Sequence, residues 1–187
     1  MANNNDLVTT QRGLAVVKPA VRKKAETLVL DTSGSMASRM ANGKSKYENL
    51  CIAARPYAGQ AQGIVFSGHA AFCDLENIPY FGGGTNLEAA LQKARSIEPR
   101  HLLVICDGYP GNPEGCLAQA RSIDCIIDTL YVGPPDDVTG IEFMQQLAAA
   151  GRGRAHVFDP TTTDPTLQIG TEVSGLLAIA PPTKIEL

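Results

Sequence analysis

Three short segments of this 187-residue chain carry oxygen-bearing side chains in a pattern that suits a hard metal ion. The first is Asp31-x-Ser33-x-Ser35, the second is Thr85 after Gly82-Gly83-Gly84, and the third is Asp107 followed by Gly108. Together they offer two carboxylates and three hydroxyls. Mg²⁺ takes hard oxygen ligands in an octahedron of about 2.1 Å radius and keeps some of its water, so a shallow site made of these groups would suit it. The alternation in D-x-S-x-S lets a turning loop direct three side chains inward, with Gly34 relieving crowding. The glycine run lets the Thr85 backbone approach closely and permits positive φ where the chain turns. Helix capping explains any one of these segments equally well, because Asp and Ser at strand ends commonly accept hydrogen bonds from helix N-termini. Three such segments in order, each after an expected structural element, favour the metal.

Rival chemistries fail on particular residues. An aspartyl nucleophile of the phosphatase type needs a second carboxylate where Ser33 stands, and an acidic receiver pocket needs paired acids after the first strand. Gly43-Lys44-Ser45 resembles the end of a phosphate-binding loop, but the glycine required five residues before Gly43 is Ser38. Ser33 and Ser35 lack the G-x-S-x-G turn, and no histidine lies in either adjacent loop to serve as a base. His69 falls in a turn, His101 begins a strand and His156 lies within one, so structural roles are expected for all three. Tyr109 suits the rim of the site and a packing role equally.

The elements that must position these residues are legible as well. Residues 27–30 form an apolar run ending at Asp31, and His101 to Cys106 form another ending at Asp107, which makes the two loops look equivalent. From Lys46, the residues Tyr47, Leu50, Cys51, Ala54 and Ala58 fall at helical spacing, with Pro56 set to kink or end that helix. Residues 63–67 and 70–75 read as an antiparallel hairpin turning at Gly68. Leu87, Ala90, Leu91 and Ala94 mark a second helix closed by Pro99, and Asn112-Pro113 start a third that reaches about Ser122. A strand over 125–132, a helix capped by Asp136 or Asp137 and running to Ala150, a strand over 155–158 and a helix from Asp164-Pro165 to about Ala180 complete the pattern. Strands alternating with helices, with central strands almost continuously apolar, predict an α/β doubly wound sheet with helices on both faces. Ligands in such folds bind beyond the carboxyl ends of the strands where strand order reverses, the edge at which Asp31 and Asp107 lie.

Composition narrows the class further. With 44% hydrophobic residues and a formal charge of −3, the chain can bury a core, and no apolar stretch approaches the roughly 18 residues that would span a bilayer. Five cysteines without CxxC spacing read as buried thiols, and the N-terminus shows no signal-peptide pattern; a reducing, cytoplasmic location is expected. Residues 1–27 carry a net +3 and the remaining 160 a net −6. The expected organisation is a basic arm over 1–25, one domain over 26–180 and a short tail over 181–187. Clustered basic residues without interleaved aromatics form a solvated face, so nucleic acid is not the expected partner.

The segments DTSGS at 31–35, GGGTNL at 82–87 and CDGYP at 106–110 resemble the three ligand loops of the von Willebrand factor A (VWA) domain and its metal-ion-dependent adhesion site, in order and roughly in spacing. The resemblance runs from about residue 26 to 160. It implies a Rossmann-like, mostly parallel sheet with one antiparallel edge strand. It implies that Ser33, Ser35 and Thr85 supply hydroxyl ligands while Asp31 and Asp107 bind directly or through water. Mg²⁺ or Mn²⁺ is the expected ion, with Ca²⁺ a further candidate. The family resemblance also implies a non-enzymatic protein-binding module in which a partner's Asp or Glu completes the coordination, AAA-type ATPases being one class of partner it allows. The alternative is a hydrolase using the same ion to activate water, which needs a general base that the sequence does not supply.

Overall fold

The computed structural model describes residues 24–158 and 164–177. Six strands form one sheet: β1 (Glu26–Asp31), β2 (Ala61–Phe66), β3 (Ala70–Cys73), β4 (His101–Cys106), β5 (Ile126–Tyr131) and β6 (Arg152–Val157). Their spatial order is β3-β2-β1-β4-β5-β6, and every neighbouring pair is parallel except β2 with β3. The antiparallel edge strand is therefore the second arm of the hairpin read from the sequence. Among the described residues, four helices lie between strands, α1 (Lys46–Ala54), α2 (Leu87–Arg95), α3 (Pro113–Ser122) and α4 (Val138–Ala150), and α5 (Pro165–Leu177) follows β6. Among the described residues, no helix is long and apolar enough to cross a membrane.

Alternate residues of the central strands feed two cores. Leu28, Leu30, Leu103 and Ile105 face α1 and α5, and Val29, Leu102 and Val104 face α2, α3 and α4. All seven are fully buried. Burial on both faces is what makes these strands read as continuous apolar runs, and each such side chain contributes about 1.5–3 kcal/mol by leaving water.

Element boundaries follow local chemistry. Asn86, Asn112 and Asp137 cap α2, α3 and α4 by accepting the amides of Ala89, Gly115 and Gly140. Pro56 ends α1 as expected, in a 3₁₀ turn over Arg55–Tyr57. The last strand starts three residues before the expected 155, because Gly151 and Arg152, the latter at φ 61°, turn the chain directly into β6. The expected extension of α5 to 180, the tail over 181–187 and residues 1–23 of the basic arm lie outside the described residues.

The chain leaves β1 to build β2 and β3 on one side, then returns to place β4 on the other. Strand order thus reverses between β1 and β4, the position at which an open α/β sheet parts its loops to form a crevice. Asp31 ends β1 and Asp107 directly follows β4.

Candidate metal centre

Asp31 is fully buried at the end of β1. Its Oδ1 accepts the Ser33 amide at 2.7 Å, which turns the chain sharply out of the strand. Its Oδ2 accepts the Cys106 thiol at 2.9 Å. Burial raises the Asp31 pKa above its ordinary 3.8, and the neighbouring Asp107 charge pushes in the same direction against the lowering effect of these hydrogen bonds. Burial, and then the Asp31 charge, push the Cys106 thiol well above its usual range, so it stays protonated and donates.

A 3₁₀ turn over Gly34–Ala37, anchored by the buried Met36, carries Ser35 back over Ser33. The Ser33 and Ser35 hydroxyl oxygens lie 3.1 Å apart, and Ser35 Oγ donates to Asp107 Oδ1 at 2.6 Å. Ser33 is buried and Ser35 exposed, so the group opens to solvent on the Ser35 side.

The glycine loop is stitched to this turn by the backbone. Gly82 N donates to the Thr32 carbonyl at 2.9 Å and Gly34 N to the Gly83 carbonyl at 3.0 Å. Gly82 and Gly83 adopt φ of 66° and 82°, a conformation that side chains oppose, which accounts for the glycine run. Gly34 is less constrained than expected, since a Cβ there would meet Gly83 O at 3.5 Å, an ordinary contact. Thr85 follows, half-buried, with its carbonyl accepting the Gly111 amide at 3.3 Å from the loop after β4. Its hydroxyl bonds none of the other four residues. The fold thus joins Ser33, Ser35 and Asp107 in one hydrogen-bonded chain with Asp31 held beside them, and sets Thr85 in the adjoining loop.

The residue missed by sequence reasoning is Lys46. Its Nζ lies 2.7 Å from Asp107 Oδ2, and the two side chains are only 12% and 0% exposed. Ser45 and Glu48 form a capping box, each side chain bonding the other's backbone amide, which fixes Lys46 as the first residue of α1. The preceding loop is closed by Lys46 N on the Ser38 carbonyl at 3.0 Å and Met40 N on the Lys44 carbonyl at 2.8 Å. A cation at a helix N-terminus opposes the helix dipole. That misplacement was the available signal, since S-K-Y-E is visible as a capping box in the sequence.

The donor set fits a small divalent ion. Neighbouring oxygens of an octahedron with metal–oxygen distances of about 2.1 Å are about 3.0 Å apart. The Ser33–Ser35 separation of 3.1 Å matches such an edge, while Ser35 and Asp107, at 2.6 Å, are joined by a hydrogen bond that such an ion would replace. The Lys46 ammonium on Asp107 shows that this carboxylate already serves a cation.

Three aromatic side chains surround the site and remain exposed: Tyr80, Phe81 and Tyr109, at 44%, 38% and 48%. Of the two roles expected of Tyr109, packing is seen, its ring meeting Phe143 edge-on at 5.5 Å. Beside it a groove of about 610 Å³ opens between Thr85 and Asn112. Two of the histidines are engaged elsewhere: His101 Nε2 lies 2.9 Å from Asp128 at the opposite end of the sheet, and His156 Nδ1 lies 2.8 Å from Glu172. His69 packs against Phe81 beside the site, the rings 4.5 Å apart and tilted by 36°.

No family model matches the chain, and no curated protein matches it in sequence. Among solved structures, the SpRpn10 VWA domain is similar over 81% of this chain and 94% of its own, with 9% identity and a TM-score of 0.57. The signal receiver domain of a response regulator from Mycobacterium tuberculosis, NarL, overlaps over 84% of this chain and 98% of its own, with 12% identity and a TM-score of 0.42. The fold is VWA-like: an open α/β sheet, mostly parallel, with one antiparallel edge strand.

Proposed function

We propose that this chain is a non-enzymatic protein-binding module in which a divalent ion of the Mg²⁺ type, held by Asp31, Ser33, Ser35, Thr85 and Asp107, grips an Asp or Glu side chain of a partner protein. The observation that carries this reading is the run of oxygens from Ser33 through Ser35 to Asp107, gathered at 3.1 Å and 2.6 Å at the strand-order switch point. A bound divalent ion supplies a compact positive charge that a carboxylate can approach. Ser33 is oriented by the Asp31 turn, Ser35 by the Met36-anchored 3₁₀ turn, and Asp107 by its position after β4. The hydroxyls donate no net charge, which favours a further anionic ligand on the solvent side, where Ser35 is exposed. The exposed Tyr80, Phe81 and Tyr109 supply apolar contact area of the kind that anchors protein partners. The likeness to the SpRpn10 VWA domain supports the scaffold. A cytoplasmic AAA-type ATPase supplying an Asp or Glu carboxylate is one partner that the family resemblance allows.

The reading is tested by capturing the partner on immobilised protein in Mg²⁺ and in EDTA, with Thr85→Ala alongside. Capture that needs Mg²⁺ and weakens in Thr85→Ala supports it. Equal capture in EDTA by both proteins would mean that the partner uses another surface. The hydrolytic alternative requires a base to take the proton of a metal-bound water. Turnover of phosphate esters in Mg²⁺, lost in Asp107→Ala, would favour it.

A further inference from the structure

The cation already in the site carries a consequence that the ligand set alone does not. Lys46 Nζ holds Asp107 Oδ2 at 2.7 Å, while Ser35 holds the other oxygen of the same carboxylate. Lys46 reaches Asp107 from the first turn of α1, against the helix dipole, and a local rule broken without gain to the helix points to a role in the site. The lysine side chain also borders an open cleft of about 340 Å³ lined by Met40, Val132, Pro134 and Phe158, so its ammonium has room to leave the carboxylate without repacking the core.

Charge decides what this does. Asp31, Asp107 and Lys46 together carry −1, so a divalent ion takes the group to +1 and a partner carboxylate then brings it to zero. Without Lys46 the group starts at −2, reaches zero on binding the ion alone, and turns negative when a carboxylate is added. Lys46 therefore disfavours the ion by itself and favours the ion together with an acid.

We infer that Lys46 is a tethered competitor for the divalent ion, which keeps the site weak toward metal alone and makes metal and an acidic ligand bind cooperatively. The inference rests on the metal-dependent reading above and deepens it: the partner's carboxylate compensates the charge that Lys46 adds.

The test is a titration of the full chain with Mn²⁺, following the free-ion EPR signal, with and without excess acetate as the carboxylate probe. Lys46→Met should bind Mn²⁺ roughly ten- to a hundredfold more tightly than the wild type, the range expected from removing one unit charge a few ångströms away in a partly screened site. Lys46→Arg should stay near the wild type. Acetate should tighten Mn²⁺ binding in the wild type more than in Lys46→Met. Lys46→Gln retains an amide donor for Asp107, provides a neutral variant if Lys46→Met does not melt cooperatively, and should behave as Lys46→Met does. Neutral variants that bind Mn²⁺ no better than the wild type would overturn the competitor role while leaving the metal reading intact. Absence of Mn²⁺ binding in every variant would overturn both.

Discussion

Asp31→Asn should stabilise the metal-free protein while abolishing its response to metal. Asp31 is fully buried, its two oxygens are held by the Ser33 amide and hydroxyl and by the Cys106 thiol, and the nearest ammonium is committed to Asp107. An isolated buried carboxylate costs several kcal/mol in desolvation. Hydrogen bonds to a charged group return about 1.5–3 kcal/mol each, and a thiol is a weak donor that returns less. The balance leaves a net cost of about 1–2 kcal/mol. Asparagine keeps the acceptor for the Ser33 amide and removes the charge, so the variant should melt about 2–8 °C higher in EDTA for a chain of this size. The pH dependence has a definite sign. Burial raises the folded-state pKa of Asp31 above 3.8, so the stability provided by its neutral form is fully present below that value and is lost as pH rises through the folded pKa. The advantage of Asp31→Asn should thus be near zero in acid and reach its full size at neutral pH. Calorimetric melts of both proteins in EDTA across this range measure it. An Asn variant that is less stable than the wild type at pH 7, or a difference that does not change with pH, would refute the argument that Asp31 is held charged at a cost.

Mg²⁺ or Mn²⁺ at ten times its dissociation constant should stabilise the wild type by about 1.4 kcal/mol. Melting scans should show that as a rise of roughly 3–6 °C, and an unchanged melting temperature across millimolar ion would count against a usable site. Thr85→Ala should weaken Mn²⁺ binding with little change in metal-free melting, because its half-buried hydroxyl bonds none of the other ligands. Asp107→Ala should weaken it more and also lower the metal-free melting temperature, since it removes the acceptor shared by the Ser35 hydroxyl and the Lys46 ammonium. Gly153→Ala should cost about 2 kcal/mol or more, because a Cβ there would sit 2.1 Å from the Ile127 carbonyl oxygen where β5 and β6 shift register. A variant melting within a degree of the wild type would show that β6 yields at that point.

Strands buried on both faces announce themselves as apolar runs, and β1, β4 and β5 were legible for that reason. The starts of α3 and α4 were legible from caps at Asn112 and Asp137, while α1 and α2 were legible from apolar spacing, their caps at Ser45 and Asn86 being recognised only in the structure. The beginning of β6 was not, because Arg152-Gly153-Arg154 has no apolar alternation, and it is held on β5 by the strand ladder and by the Asp128 carboxylate, which accepts the Arg154 amide at 2.6 Å. In the site, the ligand candidates stood out because polar residues ended apolar strands. Lys46 did not, because its partner Asp107 is 61 residues away and only the fold brings them together. Cys106 was legible as a buried thiol, but its bond to Asp31 depends on the lateral pairing of β1 with β4.

The most direct test is anomalous diffraction from crystals of the full chain soaked with Mn²⁺ and acetate. The account expects a peak bonded by the Ser33 and Ser35 hydroxyls, with Thr85 and the two carboxylates around it. An acetate oxygen should stand on the solvent side, and Lys46 should be turned away from Asp107. Loops free of manganese in crystals that bind it elsewhere, with Lys46 still on Asp107, would contradict the claim that these five residues form a metal centre for an acidic partner.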